Sequence, residues 1–224
     1  MAPTLALPLL LLGLAGAEAL ERPHLTALTP RAALSRHAPR APPLLAAAPA
    51  PAPSPSARGL AVGWAVCGMI GILGGAIKRL APIAVQPLKQ RDLTLVQWGA
   101  YLGTLVFFAY AEGYKAFQRK FSPLVVRRAM TLKEPSATAV DVALGPFYSM
   151  GLFHATRKRK IVSWSVSSAI FVVVGLVKRL PYPWRSIIDA GVCVGLSWGS
   201  LSMAIIYIKA LFGSPPTIDP EIGS

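Results

Sequence analysis

Charged residues, and acidic residues above all, are scarce in this chain of 224 residues. Only 14% of its residues are charged, nine acidic residues stand against 23 lysines and arginines, and 54% of the chain is hydrophobic. Soluble domains carry about 25% charged residues. The composition therefore excludes an ordinary soluble domain and favours a membrane protein.

Metal-ligating and nucleophilic residues are scarce as well. Cys67 and Cys193 lie in apolar stretches without CxxC or metal-ligand spacing, and His154 is the only histidine after residue 58. Phosphate-binding loops, dinucleotide fingerprints and nucleophile-base patterns are missing from the sequence. We therefore predict that the protein is not an enzyme and holds neither a cofactor nor a metal.

Long apolar runs, by contrast, are plentiful. Four stretches contain no acidic or basic side chain: residues 59–77, 93–111, 161–177 and 190–208. As helices of 17 to 19 residues they cover about 25 to 29 Å, close to the roughly 30 Å of a hydrocarbon core. They are predicted to be transmembrane helices of one membrane domain over residues 59–212.

A fifth stretch, residues 139–155, is apolar except for Asp141 near one end and His154 at the other, and a Gly-Pro pair lies in its middle. A proline kink is tolerated in a membrane where neighbouring helices satisfy the backbone. We predict an all-α bundle of five spans that includes this stretch. With four spans, the stretch would be re-entrant or interfacial instead.

One apolar segment is written twice. VGWAVCGMIGILGGAIKRL at residues 62–80 and VSWSVSSAIFVVVGLVKRL at residues 162–180 are identical at eight of 19 positions. At the same 100-residue offset, the Trp-Gly pair at 98–99 matches the pair at 198–199. With five spans the copies form an inverted repeat, as in several transporters, and with four they run parallel. The alternative to duplication is that Trp and Lys-Arg mark the ends of any membrane helix.

The N-terminal part has a different composition. Residues 1–19 combine a short apolar run with small residues, as a cleaved signal peptide does, and residues 20–58 are rich in Ala, Pro and Arg, as a disordered transit segment is. Together they resemble the two-part presequence of plastids acquired by secondary endosymbiosis. This favours a plastid membrane, thylakoid or inner envelope, over the alternative of a secretory-pathway membrane. Residues 213–224 are predicted to be a disordered tail.

Glycines recur at four-residue spacing in three of the predicted spans. Small residues at this spacing allow helix backbones to approach closely. We expect these positions to pack against other helices, within one chain or between chains. The positions are Gly63, Gly71 and Gly75, then Gly99 and Gly103, and finally Gly191, Gly195 and Gly199.

A few charged residues lie near the predicted spans. Glu112 precedes Lys115 by three residues, so the two are expected to pair on one helix face, and Arg185 is expected to pair with Asp189 at the start of the last span. Asp141 has no charged neighbour in sequence and needs a partner from another helix. Glu112 is also the acid closest to the hydrocarbon region, which makes it a candidate for solute or proton coupling.

The net charge of +14 is concentrated in loops at the ends of spans. Such loops are typical of contact with anionic lipid, so the lipid bilayer and not nucleic acid is the expected partner. A short helix from Ser122 to about Leu132 is predicted to lie along the interface, with Arg127, Arg128 and Lys133 on its charged side.

Three stretches, EGYKAFQRKFSPLVVRRA, GLFHATRKRKI and LPYPWRSIIDAGVCVGLSWG, together resemble a family of small multi-span membrane proteins of bacteria and plastid-bearing eukaryotes. The resemblance covers most of residues 95–212. It implies a plastid membrane protein of prokaryotic ancestry and supplies no activity, so no functional residue is carried over from it.

Two functional classes remain. A structural, assembly or accessory-subunit role, in a homodimer or a larger membrane complex, accounts for the glycine faces and the basic loops. A small-solute or ion carrier acting as a dimer accounts for the repeat and for Glu112. Inside the predicted spans the strongest uncharged polar group is one amide, Gln97, and a carrier pathway needs more. This scarcity favours the structural role.

Overall fold

The structure is a computed structural model that describes residues 55–223, with side chains from residue 58. The predicted signal peptide and residues 20–54 of the predicted transit segment lie outside this range. The first helix begins at Pro55, four residues before the predicted start of the membrane domain.

Every secondary-structure element of the described residues is a helix, which confirms the all-α class. In chain order they are α1 (Pro55–Ala84), α2 (Gln86–Gln90), α3 (Leu95–Phe108), the π-helix π1 (Ala109–Phe121), α4 (Ser122–Thr131), α5 (Ala139–Ala143), α6 (Gly145–Met150), α7 (Arg157–Val177) and α8 (Trp184–Leu211). One isolated bridge joins Ala155 to Ile222.

Three helical stretches of the described residues are long and apolar enough to cross a membrane: residues 58–90, α7 and α8. The 14 residues of α3 cover only about 21 Å as an α-helix. That helix continues directly into π1, so the chain still travels along α8 beyond the predicted end of the second span at residue 111.

The span predicted at residues 139–155 is wrong. The stretch folds into α5 and α6, of five and six residues, which cover about 8 and 9 Å and cannot cross a bilayer. Leu144 leaves the helical conformation just before Gly145 and Pro146, because the proline ring restricts the backbone ahead of it. Gly151, with φ of 80°, then ends α6 in the left-handed conformation that glycine adopts without strain.

Side-chain neighbours fix the directions of the long helices. Gly63 lies beside the Tyr207 hydroxyl, and the Ser186 hydroxyl lies 3.5 Å from Gln86 Oε1, so α1 and α8 are antiparallel. We call the start of α1 and the end of α8 the upper end of the molecule, and the opposite end the lower end. The direction of α3 and π1 follows α8, because Phe108 lies against Gly191 near the start of α8 while π1 reaches Gly199 farther along it.

The main core lies in the upper half, where α4 packs between α1 and α8. Its fully buried side chains include Val62, Val66, Val125, Val126 and Met203. A smaller cluster near the lower end contains Tyr101, whose hydroxyl donates to the Ala84 carbonyl over 3.0 Å. The predicted interfacial helix is therefore a core element, because its Leu and Val side chains fill the space between the two long helices.

The last residues follow an extended path back onto the upper end, which differs from the predicted disordered tail. The Thr156 amide donates to the Glu221 carbonyl over 2.9 Å, and the Gly223 amide donates to the His154 carbonyl over 3.4 Å. These bonds hold the tail beside the loop that precedes α7.

Helix α7 is the least packed long helix of the described residues. Of its 21 residues only Ser163 and Val177 are buried. Phe171 is 80% exposed, and Trp164 is 59% exposed. The helix leads from the upper end, where the tail docks, to the turn before α8 at the lower end, so four passes run along the length of the molecule.

Candidate functional site

The apolar stretches of α1 and α8 lie side by side. Because the helices are antiparallel and Gly63 lies beside Tyr207, residues 59–77 of α1 face residues 190–208 of α8. Both stretches have 19 residues, or about 29 Å as helices, and their midpoints are residues 68 and 199. Together they form one apolar belt of bilayer thickness, and residues beside these midpoints lie at its middle.

Glu112 lies inside this belt. A methyl group built on Gly195 would meet Glu112 Oε2 at 2.6 Å, so the carboxyl group rests directly against the backbone of α8. That oxygen is buried and has no hydrogen-bond partner in the described residues. An ionised side chain at the centre of a membrane costs about 2.5 to 3.5 kcal/mol, so an unpaired acid inside the belt is unfavourable.

The predicted Glu112–Lys115 pair does not form. Lys115 Nζ lies 5.3 Å from the centre of the Tyr110 ring, on the outer side of π1, while Glu112 faces α8. The reason is the π-helix, whose hydrogen bonds join residues five apart and rotate the chain differently from an α-helix. Residues three apart therefore no longer share a face.

The outer face of π1 is built from alternating aromatic and cationic side chains. Lys115 lies over Tyr110, and Arg119 lies over Tyr114 with its Cζ 5.8 Å from the ring centre. The two tyrosine rings stack with centroids 6.0 Å apart. Each cation follows its ring by five residues, which is the repeat of the π-helix hydrogen bond. We call Tyr110, Tyr114, Lys115 and Arg119 the π1 ladder.

The glycines of α8 provide the surface on which π1 packs. Added methyl groups would meet Phe108 at 2.7 Å from Gly191 and Phe117 at 2.5 Å from Gly199. Two further close contacts involve glycines outside the four-residue series: a methyl group added to Gly113 would meet Trp198 at 2.8 Å, and one added to Gly68 would meet Pro146 at 2.5 Å. Their aromatic and proline partners come from distant segments.

The remaining predicted packing glycines behave differently. Gly63 has one ordinary contact, the Tyr207 hydroxyl at 3.4 Å, and the other four have open space where a methyl group would go. These four are Gly71 and Gly75 on α1 and Gly99 and Gly103 on α3. They lie on the outer surface of the described chain.

The segment of α5 and α6 enters the belt from the upper end and returns. A methyl group added to Gly145 would lie 3.1 Å from the Ala65 side chain. The Pro146 ring packs on Gly68, at the midpoint of the α1 stretch. The Trp64 indole donates to the Ala143 carbonyl over 3.2 Å. The segment therefore enters and leaves at the upper end of the molecule, which is the path expected of a re-entrant segment in a chain with four spans.

Asp141 has its partners at the mouth of this re-entrant segment. Its carboxylate accepts hydrogen bonds from the Thr138 amide at 2.9 Å and hydroxyl at 2.7 Å, and His154 Nδ1 lies 2.6 Å away. Burial raises the pKa of Asp141, but the bonds from Thr138 and the contact with His154 outweigh burial, so the pKa lies below its usual value. The expected partner from another helix is thus a loop histidine and the residue that caps α5.

Arg128 is the most deeply buried charge of the described residues, at 0% exposure. Its guanidinium lies 4.8 Å from the Tyr148 ring centre and donates to five backbone carbonyls. They are those of Tyr148 (2.9 Å), Pro220 (2.7 Å), Glu221 (3.2 Å), Phe153 (3.3 Å) and His154 (3.3 Å). The prediction of Arg128 on a charged outer face is wrong, because α4 turns this residue toward the tail and the α6–α7 loop.

At the lower end, one polar contact lies within the first turns of α8 and another joins two loops. Arg185 Nε lies 3.5 Å from Asp189 Oδ2, the local pair predicted at the start of α8. The Tyr182 hydroxyl donates to Asp92 Oδ1, and this bond raises the pKa of Tyr182 to about 12. The Tyr182–Asp92 bond holds the loop before α3 beside the loop before α8.

Groups of three His, Cys, Asp or Glu side chains that could hold a metal do not occur in residues 55–223. Comparison of the chain with protein-family models, with curated proteins and with solved structures gives no match. The function must therefore be argued from the geometry of the chain itself.

Proposed function

We propose that the chain is an integral membrane protein of a plastid membrane and acts as a structural or assembly subunit of a membrane complex. The observation that carries the proposal is α7, a helix long and apolar enough to cross a membrane with only two of its 21 residues buried. Helices of membrane proteins gain stability from packing against other helices. A helix without such packing in its own chain is available to a partner.

Open glycines support the same proposal. Gly71 and Gly75 on α1 and Gly99 and Gly103 on α3 point into open space. Glycine gains nothing from contact with lipid, whereas at a helix interface it allows close backbone approach. The unoccupied glycine faces thus suit a second copy of the chain or another membrane protein.

The plastid location is supported by the two-part presequence pattern of residues 1–58 and by the family resemblance of residues 95–212. Neither observation identifies a partner protein. The partner must therefore be identified by crosslinking to the chain.

Photo-crosslinking in native membranes tests the proposal. A crosslinking amino acid at Phe171, 80% exposed on α7, is expected to capture a protein of the same membrane. The matched control is Leu201, 62% exposed on α8, a helix whose three predicted packing glycines are already in contact, and it is expected to capture only lipid. Equal capture of lipid alone at both positions would contradict an assembly role for α7.

A carrier acting as a dimer is the second candidate, and Glu112 favours it. Its buried, unpaired carboxyl oxygen inside the belt has the position of a coupling or binding group. In liposomes, Glu112→Gln should abolish solute flux, while Glu134→Gln, an exposed residue of the upper end, should leave it unchanged. Flux that survives Glu112→Gln would remove this candidate.

A further inference from the structure

An apolar groove runs along the exposed face of α8, between π1 and the lower part of α1. We propose that this groove binds one anionic phospholipid, with an acyl chain in the groove and the phosphate group at Lys209. The inference goes beyond an assembly role and rests on the proposed membrane location alone.

Three helices form the groove. Its floor is the face of α8 that carries Trp198 and Leu201, which are both exposed. Ile77 and Ala81 of α1 line it near the lower end, and Gln118 of π1 lines it beside Trp198. The Trp198 indole donates to Gln118 Oε1 over 2.7 Å, which ties π1 to the floor at this point. The groove is therefore bounded by a neighbouring helix on each side.

The dimensions of the groove suit a hydrocarbon chain. It follows α8 from Cys193 to Lys209, which is about 24 Å of helix, and it has a volume of about 750 Å³. These two values give a mean cross-section of about 31 Å². A helix with its side chains is roughly 10 to 12 Å wide and has a cross-section of about 80 to 110 Å². The groove is therefore too narrow for a helix but wide enough for an extended acyl chain.

The chemistry of the groove also suits an apolar ligand. Between Asp189 and Lys209, α8 carries no acidic or basic side chain. Two polar side chains of the lining are already satisfied within the chain: the Ser202 hydroxyl donates to the Trp198 carbonyl over 2.8 Å, and Gln118 accepts from the Trp198 indole. The charged group of the lining is Lys209, at the upper end.

Lys209 provides the charge that selects the headgroup. It is exposed and lies one residue beyond the apolar stretch 190–208, where a lysine reaches the headgroup layer. In the described part of the chain, the ion pairs use other cations, namely His154, Arg159 and Arg185. An ammonium carries three donors and no acceptor, so it binds phosphate oxygens well. A headgroup with a net negative charge gains most from this contact.

The unpacked helix of a second copy is a less suitable occupant. The upper end of α7 carries four consecutive cations, residues 157–160. Copies of one membrane protein share one orientation, so these cations would lie at the same end as Lys209. Like charges repel each other at short range, whereas an anionic headgroup is attracted to the same lysine.

Photoreactive lipids test the site in the full-length chain, reconstituted in vesicles of phosphatidylcholine. The two probes are phosphatidylglycerol, which is anionic, and phosphatidylcholine, each present in trace amounts and carrying the same diazirine in its acyl chain. Mass spectrometry of peptides locates the labelled residues. Labelling of Leu201 and Ile205 reports on the groove, and labelling of Phe171 on α7 reports on ordinary lipid contact.

The anionic probe should label the groove about five-fold more than the phosphatidylcholine probe, because one cation beside an anionic lipid gives about that factor. Lys209→Gln should remove the preference in the groove and leave the labelling of Phe171 unchanged. The matched control is Lys160→Gln, which removes an exposed cation of the same end and should leave the preference intact.

Equal labelling of the groove by the two probes would overturn the proposal, because the groove would then hold bulk lipid without selection. A preference that survives Lys209→Gln would overturn it as well. An unlabelled groove beside a labelled Phe171 would overturn it in favour of a protein segment in the groove. A chain that carbonate washing releases from the vesicles would contradict the membrane location itself, so the two failures are distinguishable.

Discussion

Residues 62–80 and 162–180 are near copies in sequence, yet they have opposite roles in the fold. The first copy provides Val62, Val66 and Met69 to the core, at 1%, 0% and 3% exposure. The second copy contributes Ser163 and Val177 as its only buried residues within α7. Similar sequence therefore defines two helices of similar type, while the differing positions decide which one is packed.

Two of the differing positions lie where the first copy is packed. Ala65 and Gly68 of the first copy allow α6 to approach α1, with Gly145 and Pro146 in direct contact. The second copy has serines at the equivalent positions 165 and 168 and phenylalanine in place of Gly71. Phe171 itself is 80% exposed, so the side chain that replaces Gly71 adds bulk to the outer surface of α7.

One shared feature survives in both copies. The Trp64 indole donates to the Ala143 carbonyl over 3.2 Å, and the Trp164 indole donates to the Leu152 carbonyl over 3.1 Å. Both acceptors belong to the segment from α5 to the loop before α7. The copies thus hold one re-entrant segment from two sides, and both run from the upper to the lower end.

Topology mapping gives the sharpest test of this parallel arrangement. Reporter sites after Lys133 and at Lys158 should lie on one side of the membrane, and sites after Lys78 and Lys178 on the other. Each reporter should be labelled from one side of the membrane only, because residues 139–155 return to the side from which they enter. Opposite sides for residues 133 and 158 would restore the five-span, inverted arrangement.

Arg128→Leu should have the largest effect on stability, about 4 kcal/mol, because several buried carbonyls lose their donor. The α6–α7 loop and the tail should loosen together, which separates the second copy from the core. Thermal unfolding in detergent and proteolysis of the tail measure this. Lys133→Leu, an exposed change of the same kind, should be neutral; equal losses for both variants would contradict the role of Arg128.

Gly68→Leu and Ser168→Leu compare the same position in the two copies. The first change forces a side chain against Pro146, already 2.5 Å from an added methyl group, and should cost about 3 kcal/mol. Ser168 is exposed, so the second change should stay within about 0.5 kcal/mol. The comparison fails if the two melting temperatures in detergent shift alike.

Asp141→Asn probes the mouth of the segment that both tryptophans hold. Loss of the capping carboxylate should cost about 1 kcal/mol at neutral pH. Because the folded pKa of Asp141 is lowered, its contribution is complete above the unfolded pKa of about 3.9 and disappears as the pH falls through the folded value. Unfolding followed downward from pH 7 should show a constant gap between wild type and variant above about pH 4 and a gap that narrows only below it. A gap that already narrows between about pH 7 and 5 would contradict the prediction.

Much of the helical layout could be predicted from the sequence, because runs free of charge and of membrane length have few alternatives in lipid. α7 was expected at residues 161–177 and begins at Arg157; α8 was expected at 190–208 and extends from Trp184 to Leu211. Each helix extends beyond its apolar run, because the amphipathic or basic residues at the ends of the run continue the helix by further turns.

The candidate site was less predictable. Charge spacing assumed α-helical geometry, so the π-helix displaced Lys115 from Glu112. Arg128 is satisfied by carbonyls 20 to 93 residues away, and no local pattern encodes such partners. The Gly-Pro pair at residues 145–146 was interpreted as a kink tolerated within a span, and the contact of Pro146 with Gly68 depends on tertiary packing.

The smallest expected effect concerns the feature that the copies share. Trp64→Phe and Trp164→Phe each keep the ring and remove one indole N–H bond, so each should cost about 1 kcal/mol despite the different packing of their helices. Equal decreases in the free energy of unfolding in detergent would show that the two tryptophans stabilise the re-entrant segment equally. A loss of stability confined to Trp64→Phe would mean that only the packed copy holds this segment. The two copies would then be alike in sequence but not in this structural role.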